Sequence, residues 1–118
     1  MRRKPGTLLP LEADILAAAV ALQRAGEPSF HGYQLAKRLS ADDRRRLIAH
    51  GTLYKALGRL LDAGLLTSGW EDPDLAIQQG RPRRRLYEVT GVGEQALVAW
   101  QADHRRARVQ PRPGWEPT

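Results

Sequence analysis

Four arginines crowd one short stretch, Arg81, Arg83, Arg84 and Arg85, interrupted by Pro82. A guanidinium is permanently charged and forked, which suits it to phosphate oxygens. A second group lies upstream, where Thr52, Tyr54, Lys55 and Arg59 combine two hydroxyls with two cations at helical spacing. Lys55 precedes Arg59 by one turn, so both project on one side of a helix. Hydroxyls and cations in this arrangement suit contact with a polyanion. Plainer readings stand beside this one. Thr52 can cap a helix, Tyr54 can edge a core, and the cations can be a solvated face. In strand geometry Arg83 and Arg85 face away from Arg84, so the four cannot share one line of phosphates. Arg81 and Arg83, at the Gly80 turn, are the favoured clamp, with Arg84 next.

The composition agrees with a polyanionic partner. The chain has 118 residues, with 19 Lys plus Arg against 13 Asp plus Glu, for a net charge of +6. This length supports one domain and one modest core. With no cysteine, disulfides, thiol nucleophiles and cysteine-ligated metals are excluded. His31, His50 and His104 are dispersed, so neither a metal nor a cofactor is expected. There is no Gly-x-Ser-x-Gly elbow, no phosphate loop and no paired acid with a base, which argues against an enzyme. No apolar run reaches the roughly 18 residues of a membrane span. Met1-Arg2-Arg3-Lys4 looks like the start of a signal sequence, but Pro5, Gly6, Pro10, Glu12 and Asp14 break what should be its apolar part. A cytoplasmic location is the expectation.

The elements that must position these residues can be read from the spacing. Residues 1–8 read as a flexible basic arm. Leu11, Ile15, Ala18, Ala19 and Leu22 recur at helical spacing from Pro10 to Arg24, with Gly26 as the stop. The alanines of this helix suit close approach of another helix. A second helix is expected from Phe30 or His31 to Leu39, capped by Ser29. Ser40–Arg46 reads as a charged connection, and Leu47-Ile48-Ala49 as a short strand. The third helix is expected from Thr52 to Ala63, burying Leu53, Leu57, Leu60 and Leu61 and turning Thr52, Lys55, Ala56 and Arg59 away from the core. Gly64 ends it. Strands are expected over Leu65–Glu71 and Arg84–Thr90, with Tyr87 and Val89 on one face. The connection Asp72–Arg83 is too long for a tight turn and reads as a protruding wing, in which Leu75-Ala76-Ile77 is unexpectedly apolar. A last helix over Val92–Arg108, with Thr90 as its cap, precedes a disordered tail at 109–118.

Several blocks in this order resemble the PadR family of bacterial transcriptional regulators, in its compact form with a single C-terminal helix. They are Phe30-His31-Gly32-Tyr33-Gln34-Leu35, Gly51-Thr52-Leu53-Tyr54-Lys55-Ala56-Leu57-Gly58-Arg59-Leu60, Ala63-Gly64-Leu65-Leu66, Trp70-Glu71, and Gly80-Arg81-Pro82-Arg83 through Leu86-Tyr87-Glu88-Val89-Thr90. The resemblance spans about residues 9–105. It implies an α+β, mostly α, winged helix-turn-helix over residues 9–90 with a C-terminal dimerisation helix over 91–108. It further implies a homodimeric repressor of double-stranded DNA at a palindromic operator, released by a small molecule. Thr52, Tyr54, Lys55, Arg59, Arg81, Arg83 and Arg84 are then the DNA-binding candidates. Trp100, on the last helix, becomes a candidate for stacking a small aromatic effector, with plain dimer packing as the alternative. Two positions depart from the family pattern. Lys55 stands where proline is frequent, and Gly91-Val92 replaces an acidic pair. A winged helix acting through RNA or protein contacts, without a specific operator, is the competing expectation.

Overall fold

The computed structural model describes residues 7–40 and 50–109. Expectations for residues 1–6, for the charged connection and short strand before residue 50, and for the tail from residue 110 lie outside that range. Leu8, placed by the sequence in the flexible arm, is buried in the core.

Helix α1 runs Pro10–Arg24, as the apolar spacing predicts. Its alanines have a function inside the chain: Ala13 and Ala19 are fully buried, and α1 packs against α2, α3 and α5. Small side chains at these positions let three helices approach one axis. Ile15 and Leu16 complete the buried face.

A two-residue strand, β1 (Phe30–His31), comes next, where the start of the second helix is expected from the sequence. Its shortness explains the omission, since two residues show no alternation. Helix α2 therefore spans Gly32–Ser40. Its start is closed by His31, not by the expected Ser29. The His31 N–H donates to Gln34 Oε1 at 3.0 Å, and the Gln34 N–H donates to His31 Nδ1 at 3.2 Å. This is the reciprocal pattern of a capping box, with an imidazole in the place of a hydroxyl.

Helix α3 spans His50–Asp62. Leu53, Ala56, Leu57 and Leu60 are buried, so Ala56 belongs to the core and does not face outward as expected. Adding i+3 to the i, i+4, i+7 stripe simply widens the buried face to that of an ordinary amphipathic helix. The helix ends where Gly64 adopts φ +76°, allowing the Leu65 N–H to reach back to the Leu60 carbonyl at 2.9 Å.

Strands β2 (Leu66–Trp70) and β3 (Arg85–Val89) follow, joined by a wing that contains a six-residue helix, α4 (Pro73–Gln78). Asp72 caps α4 by accepting the Asp74 N–H at 2.9 Å. Of the apolar trio in the wing, Ala76 is buried, while Leu75 and Ile77 are exposed. The sheet is antiparallel in the order β1-β3-β2, with Phe30 opposite Tyr87, His31 opposite Leu86, and Ser68 opposite Tyr87. Tyr87 and Val89 face the core as expected. Phe30 stacks on Tyr87 with ring centroids 5.9 Å apart.

Helix α5 (Gly91–Val109) starts at Thr90, whose Oγ1 accepts the Gly93 N–H at 3.0 Å. The same hydroxyl donates to the Gly64 carbonyl at 2.8 Å, tying α5 to the end of α3. A Cβ at Gly93 would collide with the Leu65 carbonyl oxygen. Glycine here permits the close approach of α5 to the sheet.

Candidate nucleic-acid interface

With Leu53, Ala56, Leu57 and Leu60 turned inward, α3 presents Thr52, Tyr54 and Lys55 to solvent. Because α3 already includes His50 and Gly51, Thr52 lies inside the helix and is not its cap. The Tyr54 ring lies over Gly32 at the start of α2; a Cβ at Gly32 would strike the phenol hydroxyl. The glycine of the Phe30-His31-Gly32-Tyr33 block thus sets the distance between α2 and α3.

Arg59 has a different setting. Its Nε donates to Glu12 Oε2 at 2.6 Å. The Glu12 side chain is only 2% exposed and its other oxygen accepts the Leu9 N–H at 2.9 Å, whereas the Arg59 side chain is 40% exposed. Arg59 lies off the buried stripe as expected, but it is paired: its Nε neutralises a buried carboxylate on α1. A buried carboxylate without a partner is costly, and this explains the direction in which the side chain turns.

Arg81, a favoured clamp on sequence grounds, is likewise drawn inward. It forms a two-pronged pair with Glu71, through Nη1 to Oε1 and through Nη2 to Oε2 at 3.0 Å. Glu71 Oε1 also accepts the Arg84 N–H at 3.1 Å, and the Glu71 N–H donates to the Arg84 carbonyl at 2.9 Å. This carboxylate buckles the two sides of the wing together at its base. The hydrogen bond from Arg81 holds its pKa down at about 2, against the opposing effect of burial, with further help from the Arg84 N–H. The same pairing raises the Arg81 pKa.

The remaining wing arginines differ in their partners. Arg83 lies over the exposed Trp70 ring, 5.5 Å from its centroid. Arg84 Nη1 stands 3.0 Å from His31 Nε2. Arg85 donates to Ser68 Oγ at 2.9 Å and lies over the Tyr87 ring. These three arginines, His31, Tyr33 and Tyr54 line one open groove of about 260 Å³ between α2, α3 and the wing. Lys55 and Thr52 stand on the helix that forms one wall.

His31, Tyr33 and Arg85, absent from the DNA-binding candidates drawn from the sequence, line this groove as well. Nothing in linear spacing joins His31 to Arg84, which are 53 residues apart. Only the pairing of His31 with Leu86 across the sheet brings them together. Trp100 does not line this groove. It packs half-buried against the core from α5, and its indole is stacked by His104 with centroids 3.6 Å apart. Among the described residues, no group of three or more His, Asp or Glu side chains could hold a metal ion, and no helix is long and apolar enough to cross a membrane.

A helix presenting hydroxyls and a cation, beside a three-stranded sheet whose wing carries arginines, defines the class of winged-helix DNA-binding proteins. Comparison with known proteins gives the family. The profile of the Transcriptional regulator PadR-like family matches residues 21–99, and the chain belongs to that family. It is a DNA-binding transcriptional regulator and not an enzyme. Similar solved structures include a transcriptional regulator from Clostridium thermocellum, at 21% identity and TM-score 0.65, covering 83% of this chain and 85% of that one. A PadR family regulator from Clostridium difficile shows 26% identity and TM-score 0.62, with 81% and 90% covered. Another, from Eggerthella lenta, shows 26% identity and TM-score 0.60, with 80% and 73% covered. No protein with curated annotation matches the chain.

Proposed function

We propose that this regulator is a homodimeric repressor that binds a palindromic operator through α3 and the wing and is released by a small aromatic effector. The observation that carries the DNA-contact reading is the shared groove: Tyr54 of α3 and Arg83 and Arg84 of the wing line one surface. Thr52 and Lys55 extend that surface along α3. In this reading Arg59 and Arg81 serve DNA binding indirectly, by fixing α3 against α1 and by closing the wing.

Dimerisation is supported by α5, which exposes Val92 (59%) and Val98 (63%) to solvent in the single chain. It is also supported by energetics, because one module of this size buries about 600–1,000 Å² on DNA and gains specificity when two half-sites are bound together. The effector step centres on Trp100. A flat aromatic molecule would take the stacked position that His104 now holds against the indole. Without an effector, that stack makes Trp100 a packing residue.

The experiment is hydroxyl-radical footprinting of the DNA upstream of the gene. The expected result is two protected half-sites about one helical turn apart, together with reduced transcription from that promoter in vitro. A uniform, sequence-independent pattern would favour the RNA or protein-contact reading, and raised transcription would make the protein an activator.

A further inference from the structure

His31 sits between two hydrogen-bond donors. The Gln34 N–H points at Nδ1 from 3.2 Å, and Arg84 Nη1 stands 3.0 Å from Nε2. An arginine nitrogen only donates, and a neutral imidazole offers a single lone pair. Whichever nitrogen carries the proton, one of the two donors is left without an acceptor. Protonating the ring makes the conflict worse, because an imidazolium accepts nothing. The surroundings also oppose protonation. Burial lowers the His31 pKa from its usual 6.5, and Arg84 and then Arg81 lower it further, with only Glu71 acting the other way. The other groups around the ring are Tyr33, stacked at 6.3 Å, and Tyr54, Tyr87, Arg83 and Arg85 along the groove.

One kind of ligand removes the conflict. An anionic oxygen entering between Nε2 and Arg84 accepts from both, leaving Nδ1 to cap α2. We infer that His31 and Arg84 form a binding site for one backbone phosphate of DNA, in which His31 acts as a neutral Nε2–H donor oriented by its own helix cap. A phosphodiester suits the position better than a carboxylate. The groove is open and bordered by three arginines and three tyrosines, which matches a ligand that continues on both sides of the anion. This inference rests on the DNA-binding reading and assigns to it a contact that linear sequence does not reveal.

The test is a fluorescence-anisotropy titration of a labelled duplex carrying the upstream DNA, over a range of salt at pH 7.5. Three proteins are compared: wild type, His31→Asn and Arg84→Gln. Asparagine can still cap α2 through its side-chain oxygen but is too short to reach the phosphate. His31→Asn is expected to weaken binding about tenfold per subunit, the value of one lost hydrogen bond to a charged group, with the salt slope unchanged because a neutral donor displaces no counterion. Arg84→Gln is expected to weaken binding and reduce the log-log slope by about 0.9 per subunit. Unchanged affinity for His31→Asn overturns the site while leaving DNA binding intact. A slope that falls for His31→Asn as it does for Arg84→Gln makes the ring a cation and also overturns it. Failure of the wild type to bind duplex overturns both readings. Should His31→Asn fold poorly, the ring ¹⁵N shifts of the wild type at pH 7.5 give the answer. Addition of duplex is expected to move Nε2 as a protonated, hydrogen-bonded nitrogen, and no movement overturns the site.

Discussion

The Nδ1 lone pair of His31 closes the start of α2, and that lone pair exists only while the ring is neutral. The folded protein holds the His31 pKa below 6.5, so the unfolded chain takes up a proton first as the pH falls. The stabilisation is therefore complete above about pH 6.5 and is lost progressively as the pH drops through the lower folded value. Urea midpoints at pH 7.5 and 5.5 are expected to differ for the wild type and to differ less for His31→Asn. Equal pH dependence in the two proteins would remove the cap from this account. Arg59 gives a second prediction at the same scale. Arg59→Ala leaves the buried Glu12 without its guanidinium. The expected loss is about 1–2 kcal/mol of stability, toward the low end because water reaches Arg59, read by urea denaturation. If Arg59 acts as a strut, the salt slope of DNA binding stays that of the wild type. A slope reduced by about 0.9 per subunit would instead make it a phosphate contact.

Elements differ in how much of them can be read from residues alone. Helices α1 and α3 were legible because their apolar spacing and terminal glycines agree, and local and tertiary preferences point the same way. Strands β2 and β3 were legible to within a residue at each end. Two elements were not: β1 is too short to show a period, and α4 hides within a segment rich in Pro and Gly that reads as loop. The candidate site divides in the same way. Exposed Thr52 and Lys55 on α3 followed from the buried stripe, though buried Ala56 did not, whereas the fates of Arg59, Arg81 and Arg84 depend on Glu12, Glu71 and His31, partners 47, 10 and 53 residues distant. Charge type was visible in the sequence; charge pairing was not. At the wing, the pairing carries its own prediction. Glu71 has its pKa lowered to about 2, so its contribution is present above about pH 4.5 and is lost as the pH falls toward 2. Arg81→Ala is expected to raise amide exchange at Glu71 and Arg84 at neutral pH. Exchange as slow as in the wild type would contradict the buckle.

For the whole molecule, the distribution of charge matters more than its sum. Some of the basic residues neutralise internal carboxylates, while Lys55, Arg83 and Arg84 border the proposed DNA surface. Lys55 occupies a position where the family often has proline, and there it adds a cation to the first half of α3. Lys55→Ala is expected to weaken binding to every sequence similarly and to flatten the salt slope; loss of preference at one base pair would make it a base reader. With two subunits each supplying roughly three to five phosphate contacts at about −0.9 apiece, binding should depend steeply on salt. The central claim is sequence-specific duplex recognition by this combined surface. It is tested most directly by titrating the wild-type protein with the upstream DNA and with random DNA of equal length, each at two salt concentrations. Tighter binding to the upstream DNA is expected at both, with affinity for each falling steeply as salt rises. Equal affinity for the two DNAs at both salt concentrations would contradict it.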